Sequence, residues 1–185
     1  MHLQGKKIAA LVADKFEDSE LTEPVNYMRE HGAEVVLVGL EAGKTYKGQK
    51  GEAEFTSDRA ISDVEAEEFD AIYIAGGKQP EALRQSPEVL RFVEEFDVQN
   101  KPIIAMCHGP QVLASAHLLQ GRRITSWPQL QDEMHEAGAV WIDEPVVVDG
   151  NYVTSRKPAD IPLLLLQIDR VLHKETAAVL EPTSQ

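Results

Sequence analysis

The chain contains a single cysteine, Cys107, in the segment AMCHGP at residues 105–110. The apolar run 102–106 before it has the length of a buried strand, and residues 111–119 after it are predicted to form a helix that ends at Gly121. Cys107 therefore falls on a strand-to-helix turn, which can expose a side chain while helix N–H groups point at it. Because such N–H groups favour a thiolate over a thiol, the position predicts a nucleophile.

Activating a thiol requires a favourable environment. Lowering its pKa from about 8.5 towards 6 takes roughly 3 kcal/mol, which must come from N–H groups and a nearby cation. His108 directly follows the cysteine and is the first candidate for that cation. The alternatives are a buried structural cysteine and a surface histidine, both of which are common. The turn between strand and helix favours the nucleophile.

Two further segments follow predicted strands. Gly76 and Gly77 come after the strand 70–75, where two N–H groups without neighbouring Cβ atoms could form an oxyanion hole, although a glycine pair can also simply make a turn. Glu17 lies just past the first strand. When ionised it would repel a thiolate, whereas a protonated Glu17 would donate a hydrogen bond to the sulfur. The alternative is an acid that stabilises a helix N-terminus, a role that suits Asp18 better.

The elements that must position these residues alternate along the chain. Buried-strand patterns alternate with helical patterns, which predicts an α/β fold: a doubly wound, mostly parallel sheet sandwiched by helices. Ligands bind beyond the carboxyl ends of the strands in such sheets, so the segments at 17, 76–77 and 107–108 are expected to meet at one edge. The predicted strands are 7–12, 34–38, 70–75 and 102–106, and the helices among them are 18–31, 80–85 and 87–100.

The rest of the chain completes a single domain over residues 1–185, with its core at about 7–174. Residues 41–60 are predicted to form loops and a short hairpin. A second hairpin is expected at 145–155, because Asp149-Gly150-Asn151 is a turn signature. Helices are predicted over 127–137 and 159–174, and residues 175–185 are expected to be a flexible tail.

Composition restricts the partners. The chain has 18 basic and 31 acidic residues, a formal charge of −13, which argues against nucleic-acid or anionic-membrane binding. One cysteine cannot form an intrachain disulfide, and the N-terminus lacks a signal-peptide core, so we expect a cytoplasmic protein. The apolar run 161–166 is too short to span a bilayer. Scattered histidines and the lack of a glycine-rich nucleotide motif predict no metal and no cofactor.

The sequence resembles the PfpI family of intracellular cysteine peptidase-like and deglycase-like proteins. That family belongs to the Parkinson's-disease-protein superfamily and has the flavodoxin-like fold of class I glutamine amidotransferases. The resemblance covers about residues 7–173. It rests on five ordered blocks, FEDSE at 16–20, AGGKQPE at 75–81, AMCHGP at 105–110, TSWP at 125–128, and VVVDGN at 146–151 followed by Ser155-Arg156.

The resemblance implies roles for the residues singled out above. Cys107 would be the nucleophile of a nucleophile elbow, and Glu17 would be the protonated acid that touches its sulfur. Gly76 and Gly77 would supply the oxyanion N–H groups.

The resemblance also brings in two residues that the motif analysis alone does not. Glu81 matches the third member of the family's triad, which orients His108 across a subunit interface, so a homodimer or higher homo-oligomer is implied. Trp127 stands where some close relatives carry tyrosine. If a group at that position touches substrate, the specificity would differ.

The implied function is a cytoplasmic, cysteine-dependent stress-response hydrolase that acts on glyoxal or methylglyoxal adducts, in the manner of a deglycase or glyoxalase. The alternatives are an intracellular cysteine peptidase that cleaves small peptides, and a redox-sensing or chaperone protein that uses the same thiolate. The two hydrolytic functions begin with attack of a thiolate on a carbonyl carbon, and His108 would move the proton.

Overall fold

A computed structural model describes residues 2–180 of the chain, with the backbone alone over 174–180. Its strands are β1 (Lys7–Leu11), β2 (Glu34–Gly39), β3 (Thr45–Lys47), β4 (Glu54–Thr56), β5 (Arg59–Ala60), β6 (Ala71–Ile74), β7 (Ile103–Met106), β8 (Arg123–Ile124), β9 (Val140–Trp141), β10 (Val146–Asp149) and β11 (Tyr152–Ser155). The α-helices are α1 (Asp18–Glu30), α2 (Gln79–Leu83), α3 (Pro87–Val98), α4 (Pro110–Ser115), α5 (Gln131–Glu136) and α6 (Ile161–Leu180).

Seven strands form the central sheet in the order β10-β11-β7-β6-β1-β2-β5. Every neighbouring pair in it is parallel except β10 and β11, which form the predicted antiparallel hairpin. Strands β3 and β4 form the short hairpin expected within residues 41–60. Strands β8 and β9 pair in parallel beside the sheet. The prediction of a doubly wound, mostly parallel sheet is confirmed.

Helices cover both faces of the sheet. On one face α3 buries Phe92 and Phe96 against Ile72 and other strand residues. On the opposite face α1 and α6 bury residues such as Met28 and Ile168. Burial on both faces explains why the central strands are continuous apolar runs rather than alternating patterns. None of the helices in the described region is long and apolar enough to cross a membrane.

Several parts of the chain differ from the sequence prediction, among them the short strands β8 and β9, which were not predicted. Helix α4 ends at Ser115 rather than near residue 119, because His117 adopts a left-handed φ of 58° that a helix cannot continue. Within 41–60, β5 joins the central sheet, but two residues are too few to show a strand pattern. Helix α6 continues to Leu180, beyond the predicted end of this helix at residue 174. Residues 181–185 of the predicted tail lie outside the described residues.

The loop that joins β3 to β4 is fixed to the start of α1 by Asp18. Oδ1 of Asp18 accepts the N–H groups of Glu52 and Ala53, and Oδ2 accepts that of Lys50, each at 2.9 Å. Burial acts to raise the pKa of Asp18, but these backbone donors outweigh it and hold the pKa below its usual value. The same loop also donates the Gln49 N–H to the carbonyl of Phe16, which follows β1, at 2.8 Å.

We expect Asp18→Asn to lower the free energy of unfolding at pH 7 by about 2 kcal/mol, because the amide turns donors towards N–H groups that need acceptors. A depressed carboxyl pKa contributes stability above its unfolded value and loses it as the pH falls. The difference between variant and wild type should therefore shrink towards pH 3. Urea denaturation measures it, with exposed Asp132→Asn on α5 as the control; equal loss in both variants would contradict the assignment.

Candidate active site

The turn after β7 holds Cys107 in a strained conformation. Its φ is 59°, in the left-handed region that residues other than glycine seldom occupy. The Cys107 N–H donates to the Ser155 carbonyl, and the Cys107 carbonyl accepts the N–H of Trp127, both at 2.9 Å. A third bond, from Gly109 N–H to the Met106 carbonyl at 2.8 Å, closes the turn. These bonds hold the thiol beyond the end of β7, where it is 5% exposed.

The carboxyl group against the thiol is that of Glu20, not the predicted Glu17. Glu20 lies in the first turn of α1 and is fully buried. Its Oε1 accepts the Gly76 N–H at 2.8 Å, and the carboxyl group lies close enough to the Cys107 thiol for its charge to act on the sulfur. The sequence did contain a signal for this role of Glu20. It lies four residues before Pro24 and eight before Met28, both of them buried, so helical periodicity places it on the buried face of α1.

Glu17 is the N-cap residue of α1. Its Oε2 accepts the N–H of Glu20 at 2.9 Å and the hydroxyl of Ser19 at 2.5 Å. Its other oxygen lies 3.2 Å from the ammonium group of Lys50. A side chain that turns back to cap its own helix is directed away from the end of β7. The prediction that Glu17 touches the sulfur is therefore wrong, although Glu17 does line the same cleft.

Burial dominates the ionisation of this pair. Burial, followed by the negative charge of Glu17, raises the pKa of Glu20 to about 8. Burial and the charge of the Glu20 carboxylate likewise raise the pKa of Cys107, against the N–H groups of His108 and Gly77, which act to lower it. Two negative charges so close together in a buried site are disfavoured, so the pair titrates as a unit and holds one proton more readily than none.

The glycine pair divides between two tasks. The Gly76 N–H is already bonded to Glu20, so it is not free as the predicted oxyanion donor. The N–H groups that point at the sulfur belong to Gly77 and to His108, whose backbone the sequence did not suggest. Glycine is needed at both positions: a Cβ on Gly76 would lie 2.8 Å from Cys107 Cβ, and Gly77 has a φ of +77°.

His108 is positioned to exchange a proton with the thiol. Its Nδ1 is 3.3 Å from Sγ of Cys107, and its ring stacks against that of Trp127 with centroids 6.0 Å apart. Burial lowers the pKa of His108, while the negative charges of Glu81 and then Glu133 oppose that effect. An imidazole with a lowered pKa is neutral near pH 7 and can accept a proton.

Sequence reasoning missed a network behind His108 that fixes a cleft residue. Oε1 of Glu133 accepts from Arg84 at 2.5 Å, and its Oε2 accepts from Nε2 of Gln111 at 2.9 Å. Arg84 also donates to the Ser115 hydroxyl at 2.9 Å. A carboxylate can only accept, so the network fixes which end of the Gln111 amide faces Glu133. The amide oxygen of Gln111 is left available at the wall of the cleft.

These groups line one open cleft of about 540 Å³, within the size range of small-molecule sites. It gathers Cys107, His108, Gly77, Glu81 and Trp127, as the sequence predicts. Glu81 is exposed on α2. The other lining residues are Glu17, Glu20, Gln49, Lys50, Lys78, Gln111, Leu130 and Pro158.

A doubly wound sheet with a cysteine on a left-handed strand-to-helix turn has the arrangement of a nucleophile elbow. The chain belongs to the DJ-1/PfpI family, whose family model matches residues 6–170. The resemblance noted from the sequence blocks is therefore confirmed.

Individual relatives cover almost the whole chain. The Escherichia coli protein named "Protein/nucleic acid deglycase 2" is 44% identical over 169 residues, which cover 91% of this chain and 98% of the relative. A Bacillus subtilis protein named "Putative cysteine protease YraA" is 47% identical over 157 residues, covering 85% of this chain and 92% of the relative.

A solved structure is similar in fold and sequence. It is a two-domain protein from Anabaena variabilis that contains DJ-1/ThiJ/PfpI-like and ferritin-like domains, with a TM-score of 0.87 and 40% identity. The match covers 88% of this chain and 47% of that protein, which is about half of its length.

Glu20 should make stability depend on pH. Its pKa rises from an ordinary value near 4.3 in the unfolded chain to about 8 in the folded protein. Between these values the folded state binds more protons, so the free energy of unfolding falls as pH rises, by up to about 1.4 kcal/mol per pH unit. Glu20→Gln removes this titration and should flatten the decline between pH 5 and 8.

Urea denaturation at pH 5, 6, 7 and 8 measures these slopes for each protein. Glu23→Gln, an exposed change on the same helix, is the matched control and should keep the wild-type slope. The same slope in wild type and Glu20→Gln would contradict a raised Glu20 pKa.

Proposed function

We propose that this protein is a cysteine-dependent hydrolase that removes glyoxal and methylglyoxal adducts from amines, with Cys107 as the nucleophile. The observation that carries the proposal is the position of the thiol on a strained turn, between the Glu20 carboxyl group and His108 Nδ1 at 3.3 Å. The deglycase names among the relatives support this substrate class.

The first step is formation of the thiolate. Oε2 of Glu20 is buried and has no N–H or O–H partner, so it is the oxygen that carries the proton of this carboxyl group and donates it towards sulfur. The thiol proton passes to neutral His108. The thiolate that remains is stabilised by the Glu20 O–H group and by the N–H groups of Gly77 and His108.

The reaction then needs no outside oxidant or reductant. In a methylglyoxal adduct, the amine nitrogen and a hydroxyl group share the former aldehyde carbon. The sulfur bonds to that carbon as the carbon–nitrogen bond breaks, and the amine leaves with the proton held by His108. The product is a hemithioacetal next to a ketone. The proton on its carbinol carbon moves to the adjacent carbonyl carbon, and the hydroxyl proton moves to the former ketone oxygen. The result is a lactoyl thioester, since oxidation of one carbon balances reduction of the other. Water cleaves the thioester to lactate and restores the thiol.

Cys107→Ala should lower the release of lactate and free amine from a methylglyoxal-treated amino acid by at least about a thousandfold, because no other group supplies the attacking sulfur. Lactate is quantified enzymatically and the amine by mass spectrometry. His108→Ala should also lose most turnover, whereas the exposed histidine change His135→Ala should not. Release by Cys107→Ala at the wild-type rate would overturn the proposal.

A peptidase is the second candidate. The N–H groups of Gly77 and His108 that point at the sulfur would suit the oxyanion of an acyl-transfer intermediate, and one relative's name refers to a cysteine protease. Parallel assays with fluorogenic peptides and methylglyoxal adducts distinguish the two functions. A kcat/KM for peptides well above that for adducts, lost in Cys107→Ala, would favour the peptidase.

Glu81 is proposed to orient His108 of a neighbouring subunit in a homo-oligomer. Its exposure on α2 supports this role, because an exposed carboxylate is available to a second copy. Cys107→Ala and Glu81→Gln should each be poorly active alone. Mixed after unfolding and refolded together, they should regain activity, since a Cys107→Ala subunit can lend its intact Glu81 to a subunit that retains Cys107. Lack of recovery in mixed oligomers, verified by native mass spectrometry, would contradict the exchange.

A further inference from the structure

Arg156 follows strand β11 and is part of the fifth sequence block, yet it does not line the described part of the cleft. Strand β11 pairs in parallel with β7, so both strands end at the same edge of the sheet. The carbonyl of Ser155, the last residue of β11, accepts the Cys107 N–H at 2.9 Å. Arg156 is therefore one peptide bond away from a group that fixes the backbone of Cys107.

Arg156 forms a bidentate ion pair with Asp160, the residue directly before α6. Its Nε donates to Oδ2 of Asp160 at 2.9 Å, and its Nη2 donates to Oδ1 at 3.0 Å. The Asp160 side chain is 6% exposed. The remaining guanidinium nitrogen, Nη1, donates to Asp143 at 2.9 Å, but that side chain is 68% exposed. The buried pair with Asp160 therefore determines the position of the Arg156 side chain, because two parallel bonds fix its orientation as well as its distance.

The ion pair closes the loop 156–160 on itself. The Arg156 N–H also donates to Oδ2 of Asp160 at 3.3 Å, so the backbone takes part in the closure as well as the side chain. Pro158 lies in the middle of this loop and lines the cleft together with Cys107. One ion pair thus holds both a part of the cleft wall and, through the adjoining peptide bond, the carbonyl that accepts the Cys107 N–H.

The turn at Cys107 needs such support because its left-handed φ of 59° is strained. Strained torsions persist only where the surrounding structure holds them. If Ser155 shifts, Cys107 loses the bond on its N-terminal side and can relax to an ordinary φ. Its sulfur would then move away from Nδ1 of His108, which lies 3.3 Å from it in the structure.

We propose that Arg156 is a positioning residue for Cys107. Its pair with Asp160 holds the Ser155 carbonyl, and that carbonyl keeps the thiol within reach of His108. Lysine could not replace it, because an ammonium group is a point charge and cannot make two parallel bonds. The inference rests on the proposed function, since the transfer of the thiol proton to His108 begins that reaction, and it adds a residue outside the cleft to this step.

Alkylation of Cys107 by iodoacetamide tests this role, because its rate reports on the thiol and needs no substrate. In wild type, neutral His108 takes the thiol proton, so the rate should rise at acidic pH as His108, whose pKa is lowered by burial, loses its own proton. In Arg156→Lys the thiol must ionise without that help. The rise should then move towards the ordinary thiol pKa of about 8.5, and the rate at pH 7 should fall by about tenfold. The charged groups that face the thiol and the imidazole are the same in every variant: Glu20, Glu81 and Glu133.

Further variants separate the ion pair from its surroundings. Asp160→Asn offers one acceptor oxygen instead of two, so it should shift the profile in the same direction, and it decides the question if Arg156→Lys does not fold. Asp143→Asn changes only the exposed bond, and Arg170→Lys changes an exposed arginine on α6, so both should keep the wild-type profile.

Thermal unfolding of each variant is measured beside the alkylation rate, which mass spectrometry follows from pH 5 to 10. A lower melting temperature with the wild-type alkylation profile in Arg156→Lys and Asp160→Asn would overturn the positioning role, because a merely structural ion pair gives that result. If the wild-type protein does not turn over methylglyoxal adducts, the proposed function fails, and the alkylation profiles still decide the role of Arg156.

Discussion

The site depends on the mutual burial of two acidic groups, Glu20 and Cys107. Water is excluded from both, which raises the pKa of each, and the charge of the Glu20 carboxylate raises the pKa of Cys107 further, so one proton stays between carboxyl group and thiol over a wide pH range. The arrangement requires Glu20 to be held in place, which the Gly76 N–H does, and requires the thiol to point at it, which the left-handed turn at Cys107 does. The ends of β1, β6 and β7 act together through this pair.

The fold supplies that geometry because parallel strands end at the same edge. Helix α1 starts directly after the loop that follows β1, and its N-cap, Glu17, leaves the next turn free to direct Glu20 at the sheet edge. The hydrogen bonds from Asp18 bring the β3–β4 loop to the same place. One short segment of α1 thus caps its own helix, fixes a loop and supplies a buried acid, which explains why three acidic residues occur within four positions.

Charge is distributed unevenly around the edge. The protein is strongly acidic, and the cleft carries both signs of charge: the carboxyl groups of Glu17, Glu20 and Glu81 line it together with the ammonium groups of Lys50, beside Glu17, and Lys78. Glu20 and Cys107 are buried, whereas Lys50, Lys78 and Glu81 are exposed. The reacting sulfur therefore lies in a dry part of a cleft whose other charges are open to solvent.

Much of the fold followed from local pattern. Four buried strand runs and the helices between them predicted the parallel sheet, and the lone Cys107 on a strand-to-helix turn predicted the elbow, because these features depend on residues close in the chain. The short strands β5, β8 and β9 were not predicted, because each has only two residues and pairs with a partner that is distant in sequence. The end of α4 depended on one backbone torsion at His117 that composition does not encode.

The sequence by itself determined which kinds of groups reach the sheet edge: a thiol, an imidazole, glycine N–H groups and carboxyl groups near residue 17. Only the tertiary structure decided which carboxyl group faces the sulfur, because Glu17 and Glu20 are three residues apart and a capping bond, not composition, directs them differently. It likewise decided that the Gly76 N–H is bonded to Glu20 while that of His108 points at the sulfur. Such choices depend on side-chain direction and on hydrogen-bond partners far away in sequence, which no local pattern specifies.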